Sequence, residues 1–289
     1  MALLKTETIT NQLKSKWPIL MLLIRSTLTK IVKLIPNKYL QYNIRCFYYN
    51  HILKPTQYHV CYKNKYFEFK YKSGITIVSF FDILIDASNS IPGYIANYKL
   101  KEGDIVVDCG AYVGAFTLYA AKAVGCKGKV IAFEPDPLNY ENLISNINLN
   151  NLTNVIAINK GVWSQNTILA FNDNHNECAH VLLDSKAESK INIPVVSLDS
   201  ELETLGIHGV DFIKMDVEGA EIEAIKGAVR VLEYNDIHLA IASYHEVDGK
   251  PTSSGVESLL TSNNYRAMTS FPRHPTTYAE KFYAGLLAV

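Results

Sequence analysis

The chain is 289 residues long, 48% hydrophobic, and carries as many acidic as basic side chains. That apolar content supports a substantial core and excludes a disordered chain. Five scattered cysteines with no CxxC pair exclude a disulfide framework and a structural zinc motif, and they fit a reducing cytoplasm. The neutral total hides an asymmetry: residues 1–100 carry fourteen Lys and Arg against four acids, and residues 101–289 carry fourteen against twenty-four. The basic front end suits anionic lipid, nucleic acid or the chain's own acidic half. The acidic second half argues against nucleic acid as the substrate, because phosphate binding needs cationic surface near the chemistry.

Leu20, Ile24, Leu28, Ile31 and Ile35 recur at helical spacing, which predicts an amphipathic helix over residues 18–35, ended by Pro36-Asn37. With Trp17 and the flanking lysines, such a helix either packs on the rest of the chain or lies peripherally on a membrane surface. Its apolar run is well short of the roughly 20 residues that span a bilayer, and no small-residue cleavage site follows. Residues 66–71 and 75–78 read as strands joined by a Lys72-Ser73-Gly74 turn, within a Tyr-, Phe- and Lys-rich stretch that suits a sheet edge.

From Lys101 the pattern alternates strand and helix, which predicts an α/β domain over residues 101–289 behind an α+β extension over 1–100. Strands are expected at 105–108, 130–134, 155–159, 212–216 and 237–243. Asp136-Pro137 supplies an N-cap and a first-turn proline for a helix over 138–148. A second helix is expected over 220–232, and Ser200 with Glu203 has capping-box spacing. Residues 168–196 read as an inserted hairpin or lid, 256–262 as a helix, and 266–271 and 281–289 as an antiparallel closing pair.

The stretch Asp108-Cys109-Gly110-Ala111-Tyr112-Val113-Gly114 ends one strand in an acid and turns on glycines into a helix. The next strand also ends in an acid, Glu134. Neighbouring strand ends line one crevice in a doubly wound sheet, so both carboxylates are expected to face one nucleoside-bearing ligand. Three details favour S-adenosyl-L-methionine (SAM) over NAD. A carboxylate at Asp108 suits the ammonium of a methionine moiety and repels a pyrophosphate. The Gly-x-x-x-Gly spacing departs from the dinucleotide fingerprint. The chain closes on antiparallel strands where a dinucleotide fold would repeat βα units. Glu134 suits the paired hydroxyls of a ribose, the helix after Gly114 favours the cofactor's carboxylate, and Trp163 either packs in the core or lies near the adenine.

These residues, with Phe133-Glu134-Pro135-Asp136-Pro137 and Lys214-Met215-Asp216-Val217-Glu218-Gly219-Ala220-Glu221, resemble the FkbM-type methyltransferase family over residues 101–247. The resemblance implies a doubly wound, mostly parallel seven-stranded sheet with an antiparallel C-terminal strand pair, the class I methyltransferase fold. It also implies SAM as cofactor, with Asp108, Gly110, Tyr112, Gly114, Glu134 and Trp163 around it. The implied reaction is mostly methylation of hydroxyl oxygens in small molecules, sugars or lipids. On that fold Asp216 and His245 reach the methyl donor, His245 as general base and Asp216 orienting either it or the acceptor. Acids at Glu218 and Glu221 are expected to answer the helix dipole, and Lys214, on one strand face with Asp216, to form a buried ion pair. Asp216, Glu218 and His245 could hold Mg²⁺, but a metal-free reaction is expected. Asp199, His175 and His180 are expected in solvent. A nucleotide-dependent oxidoreductase and a non-catalytic SAM-binding module remain the competing readings.

Overall fold

The structure, a computed structural model, is described for residue 32 and for residues 34–53, 58–79, 87–172, 190–234, 236–247, 249–270 and 276–281. The helix predicted over 18–35 lies almost entirely outside them, as do His175 and His180. Two compact units divide the chain, Met1–Phe69 and Lys70–Val289. The boundary expected at residue 100 marks where βα alternation begins, but residues 70–100 belong to the larger unit.

In the smaller unit, α1 (Lys38–Phe47) starts at Asn37, whose side chain accepts from Leu40 N at 3.0 Å. A π-helical turn (Tyr48–Leu53) follows it, then strands β1 (Tyr58–Lys63) and β2 (Tyr66–Tyr71). Asn64 and Lys65 make the tight turn between the strands, both at positive φ, as a two-residue hairpin loop requires. The Tyr42 ring lies 4.6 Å from Tyr62 and 5.1 Å from Phe67. Sequence reading anticipated β2 but missed α1, because its tyrosines fit a strand as well as a helix face.

In the larger unit, β3 (Thr76–Ser79) follows the Lys72-Ser73-Gly74 turn. Helix α2 (Ala87–Tyr94) precedes the βα alternation: β4 (Ile105–Cys109), α3 (Ala115–Val124), β5 (Lys129–Phe133), α4 (Pro137–Leu149), β6 (Val155–Ile158). A small sheet of β7 (Gly161–Val162), β8 (Thr167–Asn172) and β9 (Lys190–Val196) comes next, with β8 and β9 forming the expected hairpin. The chain continues through α5 (Leu198–Thr204), β10 (Phe212–Met215), α6 (Glu221–Lys226), α7 (Val229–Tyr234) and β11 (His238–Ala242). A two-residue ladder, β12 (Glu246–Val247) with β13 (Lys250–Pro251), leads to α8 (Ser253–Ser262), β14 (Tyr265–Ser270) and β15 (Thr276–Lys281).

The main sheet runs β14-β15-β11-β10-β4-β5-β6. Pairing is parallel from β11 to β6, and β15 is antiparallel to both its neighbours. This is the predicted doubly wound sheet. Its strands alternate between two buried faces, as strands covered on both sides must. Val107, Cys109, Ile131, Ile213 and Met215 pack one way, against α5 to α8. Val106, Val130 and Phe212 pack the other way, against Tyr94, Phe116, Ala120 and Val124.

Three boundaries differ from expectation for local reasons. The helix predicted over 220–232 breaks into α6 and α7 at Gly227, where a Cβ would sit 2.0 Å from the Trp163 carbonyl oxygen. Asp199, expected in solvent, instead accepts from Arg230 N and Val231 N and caps the second piece. Helix α5 is capped by Ser197, not Ser200. The last strand occupies Thr276–Lys281, and the predicted 282–289 lies outside the described residues. Among the described residues no helix is long and apolar enough to cross a membrane.

Candidate active site

The chain order reverses between β4 and β10, so the crevice at their C-terminal ends is the topological switch point. From β4 the backbone makes the Gly110–Gly114 turn into α3. Gly110 N and Ala111 N both donate to Phe133 O, at 3.0 and 2.9 Å, and tie the turn to the end of β5. Gly110 has φ +80, and a Cβ there would lie 1.9 Å from the Asp216 carbonyl oxygen. Gly114, at φ +94, sits against Leu143 of α4. Both glycines therefore serve close packing within the protein as well as the left-handed backbone.

Glu134, just past β5, is 5% exposed. Its Oε2 accepts from Tyr112 N at 2.6 Å and its Oε1 from Asp136 N at 3.0 Å. Tyr112 holds φ +53, uncommon for a residue with a side chain, and turns its N–H onto that carboxylate. Burial pushes the Glu134 pKa up to about 7, against the lowering by these two N–H donors. Each oxygen keeps lone-pair capacity for a further donor.

Asp108 behaves differently from expectation. Its side chain is fully buried, Oδ2 accepting from Thr117 Oγ1 at 2.6 Å and Oδ1 lying 3.1 Å from Lys214 Nζ. The sheet register sets Lys214 directly beside Asp108, so the buried ion pair predicted for Lys214 forms across strands and not with Asp216. Lys214 Nζ also donates to Gly110 O at 2.6 Å. Burial works to strip its proton, but Asp108 and Asp216 outweigh burial and raise its pKa. Asp108 thus braces the turn from beneath and presents no side-chain surface to a ligand.

At the other end of the crevice, Asp216 Oδ2 accepts from Tyr94 OH at 2.6 Å. Tyr94 is buried against Phe116 at the end of α2, with Lys214 Nζ 5.4 Å from its ring centroid. Burial first, then the Asp216 charge, hold its phenol proton well above the ordinary range. His245 Nδ1 lies 2.7 Å from Glu221 Oε1, and Gly219 N donates to that same oxygen. Its Nε2 lies 3.4 Å from Glu218 Oε2 and 3.6 Å from Asp216 Oδ1. Of the two roles expected of Asp216, orienting His245 falls to Glu221, which makes the short contact with the ring. Glu218 has φ +51, which folds its carboxylate back toward the imidazole. Burial disfavours a charged ring, yet Glu218 and Glu221 outweigh it and lift the His245 pKa to about 10. An imidazole so placed holds its proton at neutral pH, so a base role requires something to offset the surrounding carboxylates.

Trp163 packs with Leu169 and Ile191 on Ile193 and Val195, and its N–H donates to Val196 O. It stays partly exposed at the root of the hairpin. Sequence reading missed Tyr94 and gave Glu221 only a dipole role. The spacing of Ile91, Tyr94, Ile95 and Tyr98 carried a helical signal for the first. Nothing local marked the second.

A family model described as the methyltransferase FkbM domain matches residues 108–267, more than half of the chain. Methyltransferase sdnD of Sordaria araneosa is 30% identical over 165 residues, covering 46% of this chain and 62% of that protein. Hexuronic acid methyltransferase AglP of Haloferax volcanii is 26% identical over 147 residues, covering 51% and 58%. The chain thus spans less than two thirds of the length of these curated relatives. A crystal structure of methyltransferase FkbM from Methylobacillus flagellatus aligns with TM-score 0.48 and 20% identity, covering 64% of this chain and 45% of that one.

Proposed function

The chain belongs to the methyltransferase FkbM domain family, and from that premise we propose that it transfers a methyl group from SAM to a hydroxyl oxygen of a small molecule, sugar or lipid-linked glycan. The observation that carries this reading is the position of Glu134. A buried carboxylate, held by one N–H on each oxygen, sits beside the glycine turn at the switch point and finds no further donor among the described residues to offset its burial. The two hydroxyls of a ribose are such donors. The Gly110–Gly114 turn and the first turn of α3 present backbone to the amino-acid end of the same ligand, and Trp163 flanks its base. Bound SAM supplies an electrophilic methyl group on a sulfonium. Asp216 and His245, at the acceptor end, hold the hydroxyl in line with that methyl, and alignment is the larger part of catalysis in such a displacement.

The basic N-terminal segment suits a membrane-associated, lipid-linked acceptor, and the name of the Haloferax relative points to a sugar acid among acceptors. The match to a methyltransferase model sets aside the oxidoreductase reading. Incubating purified chain with methyl-labelled SAM and fractionated cell extract tests the proposal. The expected product gains one methyl and resists mild base, as an ether does and a methyl ester does not. Tight SAM binding with no label transferred to any fraction would leave a non-catalytic binding module. His245→Ala should lower turnover by roughly 10²–10⁴ with SAM affinity unchanged within about threefold; full turnover would remove His245 from the acceptor end.

Cofactor affinity should also depend on pH through Glu134. Its ionised form is the stronger acceptor for hydroxyl donors, and its pKa lies at about 7. SAM affinity should therefore rise with pH through neutrality, by up to roughly tenfold per unit on the acid side. Calorimetric titrations across that range check this, and Glu134→Gln should bind more weakly with a flat profile. A wild-type profile as flat as the variant's would remove Glu134 from the ribose.

A further inference from the structure

His245 is 9% exposed at the side chain, and its Nε2 has no hydrogen-bond partner among the described residues. Asp216 Oδ1, 3.6 Å away, is likewise buried and accepts no hydrogen bond among the described residues, because Tyr94 occupies only the other oxygen of that carboxylate. Glu218 Oε2 completes the group at 3.4 Å from Nε2. One ligand atom from each of the three side chains lies within 4.8 Å of the others. Buried polar atoms are ordinarily hydrogen-bonded, and two that face each other beyond hydrogen-bond reach invite an occupant.

We propose that Asp216, Glu218 and His245 form a divalent-cation site that holds the acceptor's hydroxyl oxygen. Ligand atoms about 2.1 Å from a shared ion stand about 3.0 Å apart at right angles and about 3.4 Å apart at tetrahedral angles. Separations of 3.4 and 3.6 Å need only a small contraction to meet that requirement. The imidazole is already set for coordination. Glu221 Oε1 accepts from Nδ1 and keeps a proton there, so a cation need displace only the Nε2 proton to gain a lone pair that points at the two carboxylates. A carboxylate behind a histidine is the usual outer support of a metal-bound imidazole. Gly219 N pins Glu221 in turn, and the positive φ of Glu218 brings its carboxylate to the same point. The two carboxylates also supply the charge that a divalent ion neutralises.

One imidazole with two carboxylates favours a first-row transition ion of the Mn²⁺ or Zn²⁺ kind over Mg²⁺, which prefers oxygen and water. Three protein ligands leave coordination positions for the acceptor, as catalytic sites require. The acceptor's place follows from the family's methyl-transfer reading, so the purpose of the ion rests on that reading, while its ligand geometry does not.

The test is direct binding to the full chain after chelation and dialysis. Mn²⁺ is titrated calorimetrically and by electron paramagnetic resonance, with Zn²⁺ and Mg²⁺ as parallel arms. One Mn²⁺ or Zn²⁺ per chain is expected, and Mg²⁺ should bind more weakly. His245→Ala should weaken Mn²⁺ at least tenfold. Glu221→Gln, which touches no ion, should weaken it roughly 10- to 100-fold. Glu218→Gln, at a partly exposed side chain, guards against loss of fold and should also weaken binding at least tenfold with an unchanged melting curve. Failure of all three ions to saturate the wild type would overturn the site, as would equal Mn²⁺ affinity in wild type and Glu218→Gln. SAM titrated into the chelated protein separates the two ideas. SAM binding without cation binding defeats only the metal site, and cation binding without SAM binding defeats the methyl-transfer reading.

Discussion

Replacing Gly110 with alanine is expected to destabilise the larger unit by about 2–5 kcal/mol and to abolish SAM binding. The backbone at φ +80 disfavours any Cβ by about 1–2 kcal/mol. The new methyl would also stand 1.9 Å from the Asp216 carbonyl oxygen, a backbone atom held in place by the Asp216 N to Cys109 O bond at 2.9 Å. Forcing β4 and β10 apart adds overpacking strain of about 1–3 kcal/mol. In a domain of this size each kcal/mol lowers the melting temperature by about 2–4 °C, so a fall of roughly 4–20 °C is expected. Because the same contact holds Asp216 at the proposed acceptor end, both ends of the crevice should suffer. A melting curve within about 3 °C of wild type would show that the strand ends can separate freely.

Lys214→Met is the second large effect. Asp108 has no exposed side-chain surface, and Lys214 is its charged partner at 3.1 Å. Removing the ammonium strands a buried carboxylate, which typically costs about 3–5 kcal/mol. Replacing the pair together, Asp108→Asn with Lys214→Met, should recover most of that loss, because a neutral pair needs no counter-charge. Equilibrium denaturation of the two single variants and the double closes the cycle. Simple additivity of the two single losses would refute the pair.

What sequence pattern could and could not reach follows from where the information lies. Strand ends at Asp108, Glu134 and Asp216 were legible because β-branched runs stop at acids, and the closing antiparallel strand because a proline-containing loop replaced a crossover helix. The N-cap at Asp136 was legible because capping is local, and its side chain does accept from Leu138 N and Asn139 N. The direction in which Asp108 points was not legible. It depends on the register that sets Lys214 alongside it, a contact across 106 residues of chain. The roles of Tyr94 and Glu221 depend in the same way on partners far away in sequence. The break at Gly227 likewise depends on the Trp163 carbonyl, a partner distant in sequence.

Helix α4 carries a final consequence. Asn146 accepts from Val78 N and donates to Val78 O, and Asn150 does the same for Thr76, so two side-chain amides stand where a neighbouring strand would. An uncovered margin of β-structure recruits foreign chains and seeds aggregates. One turn of asparagines closes that margin on β3. Asn146 also donates to Val113 O in the glycine turn, so alanine at Asn150 alone should cost the protein solubility before it costs the crevice its geometry.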